Sequence, residues 1–322
     1  MRTLVTGAAG FIGSTLVDRL LEEGHQVTGV DNLSADPPVA NLESAHRHNR
    51  FNFVAVDVTH PELPDVVSGS NPEVVFHLAA QVDVRSSIDD PLFDARNNVL
   101  GTINLLEASR RAGVPRIIYA TSGGDRYGAP ATVPAAEETP AAPFSPCAAA
   151  KVAGELYMGA YAGMYGLAPI CLALANVYGP RQVSYRGAGV VSIFGSAMIS
   201  GRPTAIHGDG TATRDYVYVD DVATAFLCAA DAPITTTGTF NIGTGVQTTV
   251  TELHRLVAEA VGVSRPPDYA AARVGEIHVS ALDPTRARKV LGWKPDTDIT
   301  EGIKRTVDWM RALLDPRPLA EA

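Results

Sequence analysis

Cysteine is scarce in this chain, and its scarcity excludes two kinds of site. Three cysteines occur among 322 residues, Cys147, Cys171 and Cys228. They are too few and too widely spaced for a disulfide framework or a zinc site. We therefore expect no structural metal and a reducing, cytoplasmic location.

Long apolar runs and an excess of positive charge are missing as well. Nowhere do about 18 apolar residues follow one another, so no membrane span is predicted. The stretch MRTLVTGAAGF has no charged segment ahead of an apolar run and a cleavage site, so secretion is not expected. The net charge is −9, whereas phosphate backbones attract basic proteins, so nucleic acid is not an expected partner.

The first half of the chain alternates short apolar runs with amphipathic stretches. The runs are rich in valine and isoleucine and read TLVTG, HQVTGVD, FNFVAVD, EVVFHLAA and RIIYATS. Helical patterns at 11–24 and 92–113 lie between some of them. Parallel neighbouring strands need long crossovers, so this alternation predicts an α/β fold with a parallel sheet. In the less regular second half we expect a strand and helix over 216–230 and helices at 189–201, 249–261 and 299–314.

The strongest local motif is LVTGAAGFIGSTL at 4–16, where Gly7, Gly10 and Gly13 lie between a strand and a helix. Glycines let the turn tighten and let a pyrophosphate approach the N–H groups of the helix N-terminus. Asp31 ends the second strand, where a carboxylate accepts bonds from ribose hydroxyls and repels a 2′-phosphate. The motif therefore predicts NAD rather than NADP. His77 is expected to be a hydrogen-bonded core histidine.

Several motifs in this order resemble one family, the extended short-chain dehydrogenase/reductases that act on nucleotide-diphosphate sugars, which include 4-epimerases and 4,6-dehydratases. They are the glycine turn, DNL at 31–33, HLAA at 77–80, NVLGT at 98–102, NVYGPR at 176–181, RDYVYVDDVA at 214–223 and RVGE at 273–276. The resemblance covers nearly the whole chain. It implies a tightly held NAD, a UDP-sugar and a homodimer packed through two helices per subunit.

The resemblance also implies the fold and the binding residues. We expect a Rossmann-type doubly wound parallel sheet in 1–175, rejoined by 214–248, and a smaller C-terminal substrate-binding α/β lobe formed by 176–213 and 249–322. Residues expected to bind NAD, beyond the three glycines and Asp31, are Phe11, Ile12, Asn32, Leu33, Asp57, Val58, Leu78, Ala79, Ala80, Asn98 and Lys151. Residues expected to bind the sugar nucleotide are Asn176, Arg214, Arg273 and Glu276, with Arg181 either a contributor or a surface arginine.

The sequence departs from the family at the catalytic tyrosine. Related enzymes carry Y-x-x-x-K on one helix, and the lysine lowers the pKa of the phenol from about 10 so that it can take the O4 proton of the sugar. Here Lys151 is present, but the tyrosine position is Cys147. Lys151 is expected to lower the thiol pKa below about 8.5, so acidity is adequate although reach is short. A small Cys147 with no chemical role is the alternative.

The loop before that helix is altered too. The segment YATSGGDRYG at 119–128 is one residue longer than the family pattern, so either Ser122 or Gly123 occupies the position of the catalytic hydroxyl. Asp125 is interpreted as an acid/base for elimination, with a solvated aspartate paired with Arg126 as the alternative. The extra residue could also direct Tyr127 towards the sugar, where it would do part of the missing tyrosine's work.

Three functions are compatible with these residues. Overall resemblance favours a UDP-N-acetylglucosamine 5,6-dehydratase of the kind used in tunicamycin-type antibiotic assembly, in which C4 is oxidised, water leaves across C5–C6 and C4 is reduced again. A UDP-sugar 4-epimerase is the second. The third is a protein that has lost catalysis but still binds NAD and a sugar nucleotide.

Overall fold

The computed structural model describes residues 1–34, 40–183, 189–272 and 277–314. Its thirteen described strands are β1 (Arg2–Thr6), β2 (Gln26–Asp31), β3 (Phe51–Ala55), β4 (Val74–His77), β5 (Arg116–Ser122), β6 (Ala168–Leu174), β7 (Asn176–Tyr178), β8 (Ala205–His207), β9 (Thr213–Arg214), β10 (Tyr216–Tyr218), β11 (Gly238–Ile242), β12 (Thr248–Thr249) and β13 (Asp268–Ala270). The described α-helices are α1 (Phe11–Glu22), α2 (Glu43–His46), α3 (Leu63–Ser70), α4 (Val84–Asp89), α5 (Pro91–Ala95), α6 (Gly101–Arg111), α7 (Pro146–Tyr165), α8 (Val190–Ile199), α9 (Val219–Asp231), α10 (Val250–Val261) and α11 (Ile299–Leu314).

Seven of these strands form one parallel sheet in the order β3-β2-β1-β4-β5-β6-β11. The predicted parallel α/β fold is confirmed. The direction of winding reverses between β1 and β4, so the loops that follow these two strands diverge. Such a reversal opens a crevice at the carboxyl edge of a doubly wound sheet.

Both faces of the sheet are covered by helices, which explains why its strands read as continuous apolar runs. On one face α1 and α9 pack together, with Leu16, Leu20 and Phe226 fully buried. On the other face α3, α6 and α7 pack together over Leu63 and Leu105. A π-helical turn at 96–100 joins α5 to α6, so the predicted helix at 92–113 is continuous but not regular.

The second half of the chain forms a smaller lobe with its own core. The predicted helices at 189–201, 249–261 and 299–314 are confirmed as α8, α10 and α11. They enclose Phe194, Leu253 and Ile303 together with tyrosines of β7 and β10. The exact domain boundaries stay a prediction; β11 lies within 214–248 and pairs with β6 of the main sheet.

The length and the apolar character of the helices bear on whether the chain could cross a membrane. In the described part of the chain none of them is long and apolar enough to span a bilayer. The cytoplasmic location stays a prediction.

One buried carboxylate ties the start of β10 to the end of the main sheet. Asp215 is 1% exposed and accepts hydrogen bonds from Thr244 N (2.8 Å), Thr244 Oγ1 (2.6 Å), Gly245 N (3.0 Å) and Leu282 N (3.2 Å). A buried charge is tolerated only when its oxygens are paired in this way. Asp215 therefore fixes the neighbouring Arg214 relative to the sheet.

We predict that Asp215→Asn lowers the free energy of unfolding by about 2–4 kcal/mol, because an amide brings its own N–H groups against these donors. Chemical denaturation followed by circular dichroism measures the change. Asp209→Asn is the matched control, since exposed Asp209 also accepts from a following threonine, Thr211. Equal effects of the two substitutions would show that Asp215 has no special structural role.

Candidate active site

The glycine turn between β1 and α1 is too tight for side chains. A Cβ at Gly13 would lie 1.9 Å from Gly7 O, and a Cβ at Gly7, whose φ is +72°, would lie 2.7 Å from Ala79 N. Gly10 begins α1 without a side-chain cap, so no side chain competes for the first N–H groups of the helix. The start of α1 therefore has free N–H groups and no side chains in front of them, which fits the pyrophosphate of a dinucleotide.

Asp31 lies beside that turn at the end of β2. Its carboxylate accepts from Ala9 N (3.0 Å) and Leu33 N (2.8 Å), so the glycine turn and the DNL segment are held together. Burial raises the pKa of Asp31, although these hydrogen bonds oppose the rise. Asn32 Nδ2 lies 2.5 Å from Asp57 Oδ2, which brings the ends of β2 and β3 together. Burial raises the pKa of Asp57, but hydrogen bonds from Thr59 outweigh it and lower the pKa overall.

His77 is a core residue, as predicted. Its Nδ1 lies 2.8 Å from Thr6 Oγ1 and its Nε2 lies 2.9 Å from Thr102 Oγ1. Burial lowers the pKa of His77 to about 3, with the positive charge of Lys151 lowering it further, so the imidazole is neutral. It joins β1 to α6 at the end of β4, directly before Leu78 and the small residues Ala79 and Ala80.

Asn98 requires a correction. We expected this residue to contact the cofactor, but its side chain is 2% exposed and fully engaged within the protein. Its Oδ1 accepts from Gln81 N (2.8 Å), and its Nδ2 donates to Gln81 O (2.9 Å) and Asp94 Oδ1 (3.0 Å). Asn98 therefore acts by holding the backbone of the loop after β4.

Helix α7 brings Cys147 and Lys151 to the carboxyl edge of the sheet. Ser145 caps the helix by accepting from Ala148 N (3.1 Å), and Pro146 starts it without losing a hydrogen bond. Lys151 Nζ donates to Ala120 O (3.0 Å) on β5. The half-buried Cys147 Sγ lies one turn earlier and donates to Gln81 O (3.6 Å).

The expected acidity of Cys147 is wrong. Burial raises the pKa of the thiol to about 11, and the opposing charge of Lys151 does not outweigh it. Burial also lowers the pKa of Lys151 to about 8. At neutral pH the cysteine is therefore a neutral thiol, while a fraction of Lys151 is an uncharged amine.

The structure decides between the two alignments of the strand end. Ser122 is the last residue of β5, and its Oγ accepts from Asp125 N (3.3 Å). At Gly123 a Cβ would lie 2.4 Å from Leu282 Cδ1 and 2.9 Å from Ala173 O. A side chain does not fit at Gly123, so the alignment that places Ser122 at the hydroxyl position is favoured and its catalytic role stays a prediction.

Asp125 is not paired with Arg126, contrary to the alternative considered above. Arg126 NH1 instead donates to Glu155 on α7. Asp125 is exposed to solvent, although neighbouring protein partly desolvates it and raises its pKa, while the charge of Arg214 lowers it. Among the described residues, Arg214 is the positive charge that acts on this carboxylate.

Tyr127 does not point into the cleft. The residue is 3% exposed, and its hydroxyl donates to Asn241 Oδ1 (2.8 Å) next to β6 in the core. Because this hydroxyl is already satisfied within the protein, the hypothesis that Tyr127 replaces the missing tyrosine is wrong. The extra residue is accommodated in the loop, and Tyr127 anchors that loop.

The residues expected to bind the sugar nucleotide divide into three groups. Asn176 is exposed at the start of β7, and Arg214 is half-exposed with NH1 bonded to Thr213 O (2.8 Å). Arg181 NH2 forms an ion pair with Asp18 of α1 (2.5 Å), while its buried NH1 has no hydrogen-bond partner among the described residues, so both alternatives for Arg181 stay predictions. Arg273 and Glu276 lie outside the described residues.

Comparisons with known proteins agree with this geometry. Residues 3–243 match the model of the NAD dependent epimerase/dehydratase family. A UDP-glucose 4-epimerase of Mycolicibacterium smegmatis is 51% identical over 97% of this chain and 99% of its own length.

Two solved structures extend the similarity to the whole fold. The crystal structure of a UDP-glucose 4-epimerase from Thermotoga maritima with UDP-glucose has a TM-score of 0.92 and 42% identity, covering 98% of this chain and 100% of its own. That of a Thermus thermophilus UDP-glucose 4-epimerase with NAD has a TM-score of 0.89 and 40% identity, covering 97% and 99%.

We predict that alkylation of Cys147 by iodoacetamide keeps accelerating as the pH rises towards about 11, because only the thiolate reacts. Mass spectrometry of the peptide that contains Cys147 measures the rate. In Lys151→Met the reaction at a given pH is slower, since Lys151 lowers the thiol pKa. A rate that levels off near pH 8.5, about the value of an unperturbed thiol, would contradict this assignment.

Proposed function

Because this chain belongs to the NAD-dependent epimerase/dehydratase family, we propose that it is a UDP-hexosamine 5,6-dehydratase. The observation that carries the proposal is a neutral Cys147, where related enzymes have tyrosine, together with a nearby Asp125 that forms no ion pair among the described residues. An epimerase needs no acid at the position of Asp125. Elimination of water requires a base for the C5 proton and an acid for the leaving O6 hydroxyl, and a single carboxyl group can serve as both in sequence.

NAD is held by the residues of the glycine turn and the strand ends. The bare start of α1 accommodates the pyrophosphate, and Asp31 is placed for ribose hydroxyls. When bound, NAD accepts a hydride from C4 of the sugar and later returns it. The protein's own groups must move the protons.

Lys151 is the group best suited to the O4 proton. Its pKa of about 8 allows the amine to accept a proton near neutral pH, directly or through a water in the space that a tyrosine ring would fill. Cys147, with a pKa of about 11, serves as a small neutral neighbour. Ser122 at the end of β5 supplies the hydroxyl for the same oxygen.

Asp125 completes the reaction at C5 and C6. The ketone at C4 makes the C5 proton acidic, and the carboxylate takes it while the C5=C6 double bond forms. The C6–O bond breaks, and the same proton is given to O6, so that water leaves and Asp125 is a carboxylate again. Return of hydride to C4 and of a proton to O4 gives the 5,6-alkene.

The substrate is proposed to be UDP-N-acetylglucosamine, from the overall resemblance of the sequence to 5,6-dehydratases of antibiotic assembly. The guanidinium of arginine presents a planar set of donors that suits a diphosphate, and Arg214 lies close enough to Asp125 to lower its pKa.

A second candidate function is UDP-glucose 4-epimerase. It is favoured by the 51% identity with the Mycolicibacterium smegmatis enzyme of that name.

The protein is further proposed to be a homodimer. Helices α5 and α7 contact each other and expose large apolar side chains, among them Leu92 (77%), Leu156 (71%) and Met164 (69%). Such apolar patches usually mark protein–protein interfaces. A second copy presenting the same two helices would cover this surface and agrees with the family expectation.

We predict that incubation with UDP-N-acetylglucosamine gives a product lighter by one water, as followed by mass spectrometry. Asp125→Asn keeps the size of the side chain but removes its basicity, so the rate of water loss falls by about 100-fold or more. Asp65→Asn, at an exposed position of α3, is the control. A product of unchanged mass with a galacto configuration would replace this proposal with the 4-epimerase, and binding without turnover would indicate lost catalysis.

We also predict that Leu92→Glu with Leu156→Glu converts the protein to monomers in analytical ultracentrifugation, because charges would face each other across the interface. Leu313→Glu, at an equally apolar position on α11 that is 61% exposed, leaves the association state unchanged. A monomeric wild-type protein would refute the dimer outright.

A further inference from the structure

Glu155 lies on α7 one turn beyond Lys151, and its side chain is only 8% exposed. It accepts from Thr121 Oγ1 (2.8 Å) on β5 and from Thr239 Oγ1 (3.2 Å) on β11. Its remaining partner is the guanidinium of Arg126. A carboxylate as enclosed as this one needs donors for its oxygens, and Arg126 supplies the charged donor, so Arg126 is firmly bound.

Arg126 is equally enclosed, with its side chain 13% exposed. Its guanidinium lies 5.3 Å from the ring centre of Tyr127, whose hydroxyl is fixed by Asn241. Its Nε has no hydrogen-bond partner among the described residues although it is buried. An ion pair that leaves a buried donor without a hydrogen bond adds little to the free energy of unfolding, so stability alone does not account for it.

Hydrogen bonds and one ion pair hold the loop at 123–128 at its start, in its middle and near its end. Gly123 N donates to Leu174 O (2.8 Å), and Ser122 Oγ accepts from Asp125 N (3.3 Å). Arg126 and Tyr127 then attach the loop to α7 and β11. Within this loop, Asp125 is the residue whose side chain is exposed to solvent.

We propose that the Arg126–Glu155 ion pair is a clamp that positions Asp125 for proton transfer against the helix that carries Lys151. This inference rests on the proposed function. Glu155 is four residues from Lys151, so one face of α7 sets the positions of both proton-transfer groups. Because Arg126 pairs with Glu155, it does not pair with the neighbouring Asp125, so Asp125 is available to exchange a proton. Arg126 and Glu155 are thus positioning residues.

Hydrogen exchange tests the clamp without reference to the reaction. In Arg126→Met, which keeps the apolar stem, amides of 123–128 are expected to exchange about tenfold faster than in the wild type. Glu155→Gln, which keeps one oxygen for one of the two threonines and loses the negative charge, has a smaller effect in the same direction. Glu107→Gln, which weakens the Arg110 ion pair on α6, leaves the loop unchanged. Unaltered exchange of the loop in Arg126→Met would overturn the clamp.

Kinetics test the positioning role. For water loss from UDP-N-acetylglucosamine, Arg126→Met is expected to lower kcat by about tenfold with KM changed less than about twofold, because binding groups are untouched. Arg126→Lys restores part of the rate, since a cation again meets Glu155. A variant that only loses thermal stability, with kcat unchanged at a temperature where it is folded, shows that the pair is structural and overturns the proposal.

The two hypotheses fail in different ways. If the wild-type protein releases no water, the proposed function is wrong, and the positioning role falls with it whatever the exchange data show. If the wild-type protein releases water and both Arg126→Met and Glu155→Gln do so at the same rate, only the clamp is wrong.

Discussion

A stripe of three side chains on α7, spaced four residues apart, holds this site together. Cys147 bonds to Gln81 O after β4, Lys151 to Ala120 O on β5, and Glu155 to Thr121 Oγ1 at the end of β5. The helical repeat places all three on one face. Since each one bonds to a different point along the carboxyl edge of the sheet, the helix cannot shift without breaking all of them.

Burial shifts the pKa values of Cys147 and Lys151 more than the charges around them do. Proximity to a lysine would lower the pKa of a thiol in water, but enclosure raises the pKa of Cys147 to about 11 and lowers that of Lys151 to about 8. Both shifts favour the neutral forms. At neutral pH Cys147 is therefore a neutral thiol, and in the proposed mechanism Lys151 rather than Cys147 accepts the O4 proton.

The loop that carries Asp125 shows how an extra residue is accommodated. Gly123 has no room for a side chain, and Tyr127 enters the core, so the additional length is taken up around Asp125. Within this loop the ion pair between Arg126 and Glu155 attaches the residue after Asp125 to α7. Under the proposed function, Asp125 is the carboxylate that elimination requires and that a 4-epimerase would not use.

The sequence by itself determined the parallel α/β fold, the order of its strands along the chain and the glycine turn for NAD, because these depend on local periodicity and spacing. It also identified Cys147 and Lys151 as neighbours, since four residues make one helical turn. Only the tertiary structure decided that Arg126 pairs with Glu155, that Tyr127 and Asn98 turn inward, and that Asp215 ties β10 to the end of the main sheet. Those outcomes depend on burial and on partners 17 to 114 residues away in the chain, which no local pattern specifies.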